Sequence, residues 1–117
     1  MIRNVAKSIA EFEKVKMIVH PDNKNNAKNF LDDKIEIIEF KIDDCWARDS
    51  GAIFLLDNEN KLGAVDWEFN GWCKFKPYDS DYKLAKFVIQ YTIADYFKSN
   101  LVLEGVSIHV DGEGTLL

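Results

Sequence analysis

Two apolar runs, Ala52-Ile53-Phe54-Leu55-Leu56 and Leu62-Gly63-Ala64-Val65-Asp66-Trp67, flank the segment Asp57-Asn58-Glu59-Asn60-Lys61, and no other feature constrains the fold as strongly. β-branched and aromatic residues favour extended backbone, while Asp, Asn and Lys between them favour a turn, so the pattern predicts a β-hairpin. An apolar stripe follows, with Leu84, Phe87, Val88 and Tyr91 continuing to Phe97 and Lys83, Lys86, Gln90 and Asp95 on the other side. This predicts a helix opening near Asp79-Ser80-Asp81, where an Asp or Ser side chain can cap the free N–H groups. Leu101-Val102-Leu103 then reads as a strand. The resulting order is ββαβ, a mixed unit in which the helix covers the sheet with one face.

Upstream, Ile2, Val5, Ala6, Ile9, Ala10 and Phe12 recur at helical spacing and predict a helix over 3–13. Val15-Lys16-Met17-Ile18-Val19 predicts a strand closed by the turn residues His20-Pro21-Asp22-Asn23. A helix over 24–31 and a strand over 35–40 complete this half. The 117 residues suffice for one ordinary domain, and 47% hydrophobic content is enough for a packed core. A net charge of −5 disfavours nucleic-acid and anionic-membrane partners and favours cationic ligands. No window has the length and hydropathy of a membrane span, so a soluble, cytoplasmic protein is expected. Cys45 and Cys73 are the only cysteines and show no metal or redox spacing, so both are expected as free thiols.

The segment Asp43-Asp44-Cys45-Trp46-Ala47-Arg48-Asp49-Ser50-Gly51 follows the second strand and concentrates three carboxylates, a cation and an indole. A carboxylate offers two acceptors that match the paired N–H donors of a guanidinium, and a Trp face attracts the same cation. The segment therefore reads as a guanidinium receptor. Its alternative is a polar corner in which Arg48 pairs with a neighbouring Asp. Trp67, Phe69, Trp72, Phe75 and Tyr78 lie in an irregular stretch with Asn70, Gly71 and Pro77 and are expected as core aromatics of a long packed loop.

Three separated segments together carry a resemblance. Asp44-Cys45-Trp46-Ala47-Arg48-Asp49-Ser50-Gly51, Val65-Asp66-Trp67-Glu68-Phe69-Asn70 and Leu103-Glu104-Gly105-Val106-Ser107-Ile108-His109-Val110-Asp111-Gly112-Glu113-Gly114-Thr115 resemble, in this order, the agmatine deiminase family. The resemblance covers nearly the whole chain. It implies an α+β fold, part of a pentein (α/β propeller) in which ββαβ modules stand around a pseudo-fivefold axis with the active site at the centre. Residues 1–117 would form a single partial domain of roughly two such modules. The reaction implied is hydrolysis of agmatine to N-carbamoylputrescine and ammonia on the route to putrescine, with no cofactor and no metal.

In that chemistry a cysteine thiolate attacks the guanidinium carbon, a histidine protonates the departing ammonia, and carboxylates hold the cation. By resemblance Asp49 is the carboxylate that grips the guanidinium, Trp46 the aromatic wall of the pocket, and Glu104 a carboxylate of the catalytic centre. The family's nucleophilic cysteine and its second His-x-Asp motif lie further downstream, and a section preceding the first helix also has no counterpart here. The chain is therefore expected to be an internal fragment, inactive alone. His109 and Asp111 make a His-x-Asp pair, with Glu113 on the same face, but the resemblance places them in the Leu-Glu-Gly segment, so a supporting role is expected.

The chain departs from the family pattern at Val106 and Cys73, where glycine is usual, and at Ala52, where proline is usual. A usual glycine suggests backbone with φ > 0 or close approach. The alternative functions are a non-catalytic remnant that binds guanidines or a complementary chain, and a protein-arginine deiminase. A homo-oligomer is a further expectation, because two modules of a cyclic fold leave sheet edges and apolar faces uncovered.

Overall fold

The computed structural model describes residues 2–74 and 76–117, so Phe75 of the expected aromatic cluster lies outside the described residues. The chain divides into two compact units, residues 1–42 and 43–117.

The first unit has the order αβαβ. Helix α1 spans Ile2–Ile9, strand β1 Val15–Val19, helix α2 Lys24–Phe30 and strand β2 Ile35–Glu39. The expected helix to Glu13 is cut short: beyond Ile9 the backbone continues only as hydrogen-bonded turns at Ala10 to Glu13. β1 and β2 pair in parallel with unbroken register from Val15 opposite Ile35 to Val19 opposite Glu39. A short 3₁₀ turn at Pro21–Asn23 starts α2, and the His20 Nδ1 accepts the Asp22 N–H at 3.3 Å. Proline suits that first position because its missing N–H would have no helical partner. Val19 and Ile35 are buried, but of α1 only Ala6 is; Ile2, Val5 and Ile9 stay exposed.

The second unit carries the predicted ββαβ order. Helix α3 spans Ala47–Ser50, β3 Ile53–Leu56, β4 Leu62–Glu68, α4 Leu84–Thr92 and β5 Asp95–Val102. The sheet order is β3-β4-β5, antiparallel between β3 and β4 and parallel between β4 and β5. In the hairpin loop the Asp57 carboxylate accepts the N–H groups of Glu59 and Lys61, each at 2.8 Å. That side chain supplies the local acceptors the tight reversal needs.

The long helix differs from expectation at both ends. It stops at Thr92, where Ile93 takes a left-handed conformation with φ 57°, and Phe97 belongs to β5 instead. Pairing with β4 accounts for the switch, since Tyr96 and Phe97 suit extended backbone and register opposite Ala64 and Val65. At its start neither Ser80 nor Lys83 caps with its side chain. The acceptor comes from elsewhere: Asp43 Oδ2 takes the N–H of Ser80 at 2.6 Å and of Asp81 at 3.3 Å. The buried face of α4 is Leu84, Ala85 and Ile89, which meets Ala64 and Phe69 as the unit's core, while Tyr91 is exposed. Truncating Ile89, 1% exposed, would leave a cavity costing about 2–5 kcal/mol.

A polar network crosses β4 and β5. Asp66 is buried; its Oδ2 accepts the Tyr96 hydroxyl at 2.7 Å and lies 3.6 Å from Lys98 Nζ, which also pairs with Glu68 at 3.2 Å. The hydrogen bond to Asp66 raises the Tyr96 pKa. No helix among the described residues is long and apolar enough to cross a membrane.

Candidate functional site

Asp44, Trp46, Asp49 and Trp72 line a cavity of about 460 Å³ within the second unit. Three of these residues come from the loop and short helix after Asp43, the fourth from beyond β4. Trp46 stands at the N-cap position of α3 and Asp49 lies in that helix's first turn. The turn is held by Asp49 N–H to Trp46 O at 3.0 Å, and by Ser50, whose buried hydroxyl donates to the same carbonyl at 3.2 Å. Trp46 is 57% exposed, so its indole is open to a ligand rather than packed away.

Trp72 reaches the cavity from an unusual stretch of backbone. Gly71, Trp72 and Cys73 all lie in the left-handed region, with φ of 63°, 53° and 61°. Only glycine adopts this region freely, and each other residue there carries a cost of about 1 kcal/mol. The stretch is pinned on two sides. Asn70 Oδ1 accepts the Cys73 N–H at 3.1 Å, and a side chain at Gly71 would stand 2.7 Å from the Tyr78 ring. Phe69 stacks edge-on to both Trp72 and Tyr78, with centroids 5.1 and 6.2 Å apart. The aromatic cluster therefore divides: Phe69 is core, and Trp72 is a wall of the cavity.

The loop carrying Asp44 is tied to the start of α4. Asp81, 3% exposed, accepts the N–H of Asp43 at 2.8 Å on one oxygen and of Asp44 at 3.0 Å on the other. Burial raises the Asp81 pKa; the two N–H donors oppose that shift, and the Asp43 and Asp44 charges add to it. Cys45, between Asp44 and Trp46, is exposed. Desolvation, the hydrogen bond with Asp44 and that residue's charge raise its thiol pKa. A thiol so placed stays protonated near neutrality and is a poor nucleophile.

Arg48 pairs with no neighbouring aspartate among the described residues; its Nη2 donates to the Ile108 carbonyl at 3.4 Å. The polar-corner reading of the motif is thus not what forms. Gly105 abuts the same short helix, and a Cβ there would stand 2.3 Å from the Arg48 carbonyl oxygen. Glu104, half-buried, precedes this contact at the N-cap of the 3₁₀ turn Gly105–Ser107, but its side chain is not among those lining the cavity. Of the three residues singled out by resemblance, Trp46 and Asp49 therefore share one cavity, and Glu104 sits beside their helix.

Val106 needs no special backbone: it is absent from the positive-φ residues, so the departure from glycine there strains nothing. Cys73 does occupy a left-handed position. Asp111 ties down its own loop by accepting the N–H groups of Glu113 at 2.8 Å and Thr115 at 3.1 Å. The Thr115 side chain and these amides lower its pKa. Among the described residues no three of His, Cys, Asp and Glu are grouped to hold a metal ion, so His109, Asp111 and Glu113 form no ligand set.

A short helix that ends a loop of carboxylates, set beside a ββαβ unit, is the arrangement of a pentein. The solved agmatine deiminase of Enterococcus faecalis superposes on 98% of the chain with a TM-score of 0.94 at 32% identity. A substrate-bound agmatine deiminase of C. jejuni does so over 98% with a TM-score of 0.82 at 30% identity. The sequence matches the Porphyromonas-type peptidyl-arginine deiminase family over residues 1–117, and the chain belongs to that family. A Legionella pneumophila relative is 47% identical over 97% of this chain, and the agmatine deiminase of Pseudomonas aeruginosa 41% identical over 97%. The chain spans about a third of the length of each: 33% of both relatives, and 33% and 34% of the two solved chains.

Asp44 and Trp72 are the cavity residues that sequence reasoning left without a role. Asp44 was visible in the motif, its pairing open. Nothing in the order of residues announces that a tryptophan after Asn70-Gly71 takes a left-handed turn toward it.

Proposed function

We propose that this chain is the cation-gripping part of an agmatine-type deiminase, and that it binds a guanidinium without hydrolysing it. The observation that carries the reading is the single cavity bounded by two carboxylates, Asp44 and Asp49, and two indoles, Trp46 and Trp72. Asp49 accepts paired N–H bonds from the guanidinium, as the family resemblance assigns it. The indole faces enclose the methylene chain and add cation–π attraction, worth about 0.5–2 kcal/mol each. Glu104, held at α3 by Gly105, is the carboxylate expected to complete the catalytic centre. The family's thiol and general-acid histidine have no matching residue in this sequence, and the raised thiol of Cys45 supplies no substitute.

The activity of a whole deiminase, release of ammonia from agmatine toward putrescine formation, is thus assigned to a protein containing more of the family's fold. Agmatine is the substrate favoured by the names of the similar proteins; peptidyl-arginine is the alternative carried by the family's description. The test is a calorimetric titration of the 117-residue chain with agmatine and with putrescine, which keeps the amine and lacks the guanidine. The expected outcome is measurable heat with agmatine, at least tenfold weaker binding of putrescine, and no ammonia release above background. Equal binding of the two amines overturns the guanidinium reading, and turnover abolished by Cys45→Ser overturns the assignment of the nucleophile.

A further inference from the structure

The geometry points to Asp81 as a positioning residue of the candidate pocket, acting through the Asp43–Trp46 loop; this rests on reading the Asp44/Trp46/Asp49/Trp72 cavity as a guanidinium pocket. Asp81 touches no part of the cavity. Both of its oxygens are instead committed to backbone, to Asp43 N–H at 2.8 Å and Asp44 N–H at 3.0 Å. Asp43 returns the interaction, its Oδ2 accepting Ser80 N–H at 2.6 Å and Asp81 N–H at 3.3 Å. Two carboxylates thus hold four backbone donors and clamp the loop against the start of α4.

Burying a carboxylate beside two others is costly, and it persists only where its hydrogen bonds compensate. Here Asp81 is 3% exposed with Asp43 and Asp44 both nearby. An amide at 81 is isosteric but can accept only one of the two N–H groups, and its own N–H₂ would face the other. The loop then loses its second anchor just where Asp44 enters the cavity, one residue before Cys45 and two before Trp46. The clamp also explains why Asp79, Ser80 and Asp81 leave the helix start uncapped by their own side chains. Asp81 faces the loop, and Asp43 performs the capping in return.

Asp81→Asn in the full chain tests this, with Ile89→Val as a control that lowers thermal stability from the remote core. The expected result has three parts: amide exchange at Asp43 and Asp44 at least tenfold faster, protection of Leu84–Thr92 retained, and agmatine affinity down at least tenfold at a temperature where both variants are folded. Ile89→Val should keep wild-type affinity. Unchanged exchange at Asp43 and Asp44 overturns the proposal, as does unchanged affinity once those amides are freed. Where wild-type chain binds no agmatine, the functional reading fails, and exchange across 43–50 decides the clamp: acceleration confined to that segment upholds it, wild-type rates overturn it. Should Asp81→Asn not fold, Asp43→Asn, which leaves both Asp81 bonds possible, is judged by the same readouts.

Discussion

Gly105 lies so close to Arg48 that a Cβ on the glycine would stand 2.3 Å from the Arg48 carbonyl oxygen, inside any permitted contact. The obstacle is backbone, with Ile53 Cδ1 at 2.9 Å behind it, so neither side can yield cheaply. Gly105→Ala must push the Glu104–Ser107 turn away from α3. Overpacking of this kind costs about 1–3 kcal/mol. Thermal denaturation should show the loss, and agmatine binding should weaken with it; an alanine variant with wild-type Tm would mean that the two segments are not packed as described.

Cys73 sits at φ 61°, a conformation that glycine adopts freely. Cys73→Gly should therefore stabilise the chain by about 0.5–1 kcal/mol. The Asn70 cap on the Cys73 N–H survives the change, since it uses only backbone. Gly71→Ala should do the opposite, because its Cβ would strike the Tyr78 ring. Denaturant midpoints of the two variants check both signs.

Asp81 gives the chain a pH signature. Its folded-state pKa is raised above the ordinary value of 3.8 by burial, first, and by Asp43 and Asp44. In the window between these two values the native state holds more proton than the unfolded one, so stability falls as pH rises through it. The contribution is fully present below the unfolded value and gone above the folded one. Asp81→Asn should remove this component, flattening the stability curve on the acidic side of neutrality. Superimposable curves for both proteins would contradict the shift.

The Cys45 thiol should alkylate slowly. With its pKa raised above 9.0 by desolvation and by Asp44, it is mostly neutral at pH 8. In a Cys73→Ser background, the iodoacetamide rate should rise on Asp44→Asn, with the pH midpoint of the reaction moving down. A midpoint that does not move would separate the thiol from Asp44.

Leu55, Leu56, Phe97, Leu101 and Val102 are exposed on the β3-β4-β5 sheet, and β5 is a free parallel edge among the described residues. Parallel strands are ordinarily covered on both faces. The isolated chain should self-associate with rising concentration, and sedimentation velocity measures it. A strict monomer across the accessible range would show that these side chains cover themselves.

Much of this molecule is legible in its sequence where local signals agree. Val15–Val19 is predicted and observed with the same bounds, and the hairpin appears where Asp57 to Lys61 interrupts two apolar runs. Trp46 and Asp49 are named by the motif and share a cavity. What escapes the sequence is decided at long range. Phe97 looks helical by spacing, yet β4 draws it into a parallel strand. The cap of α4 comes from Asp43, 37 residues before Ser80, and no local pattern encodes that. Trp72 resembles any core aromatic until its left-handed backbone turns it to the cavity.

The central claim, that Asp49 grips a guanidinium between Trp46 and Trp72, is met most directly by calorimetric titration of agmatine into wild-type chain and into Asp49→Asn. Losing a charged acceptor of paired N–H bonds should cost about 1.5–3 kcal/mol, an affinity roughly 10- to 150-fold weaker. Equal affinity for the two proteins would contradict the claim.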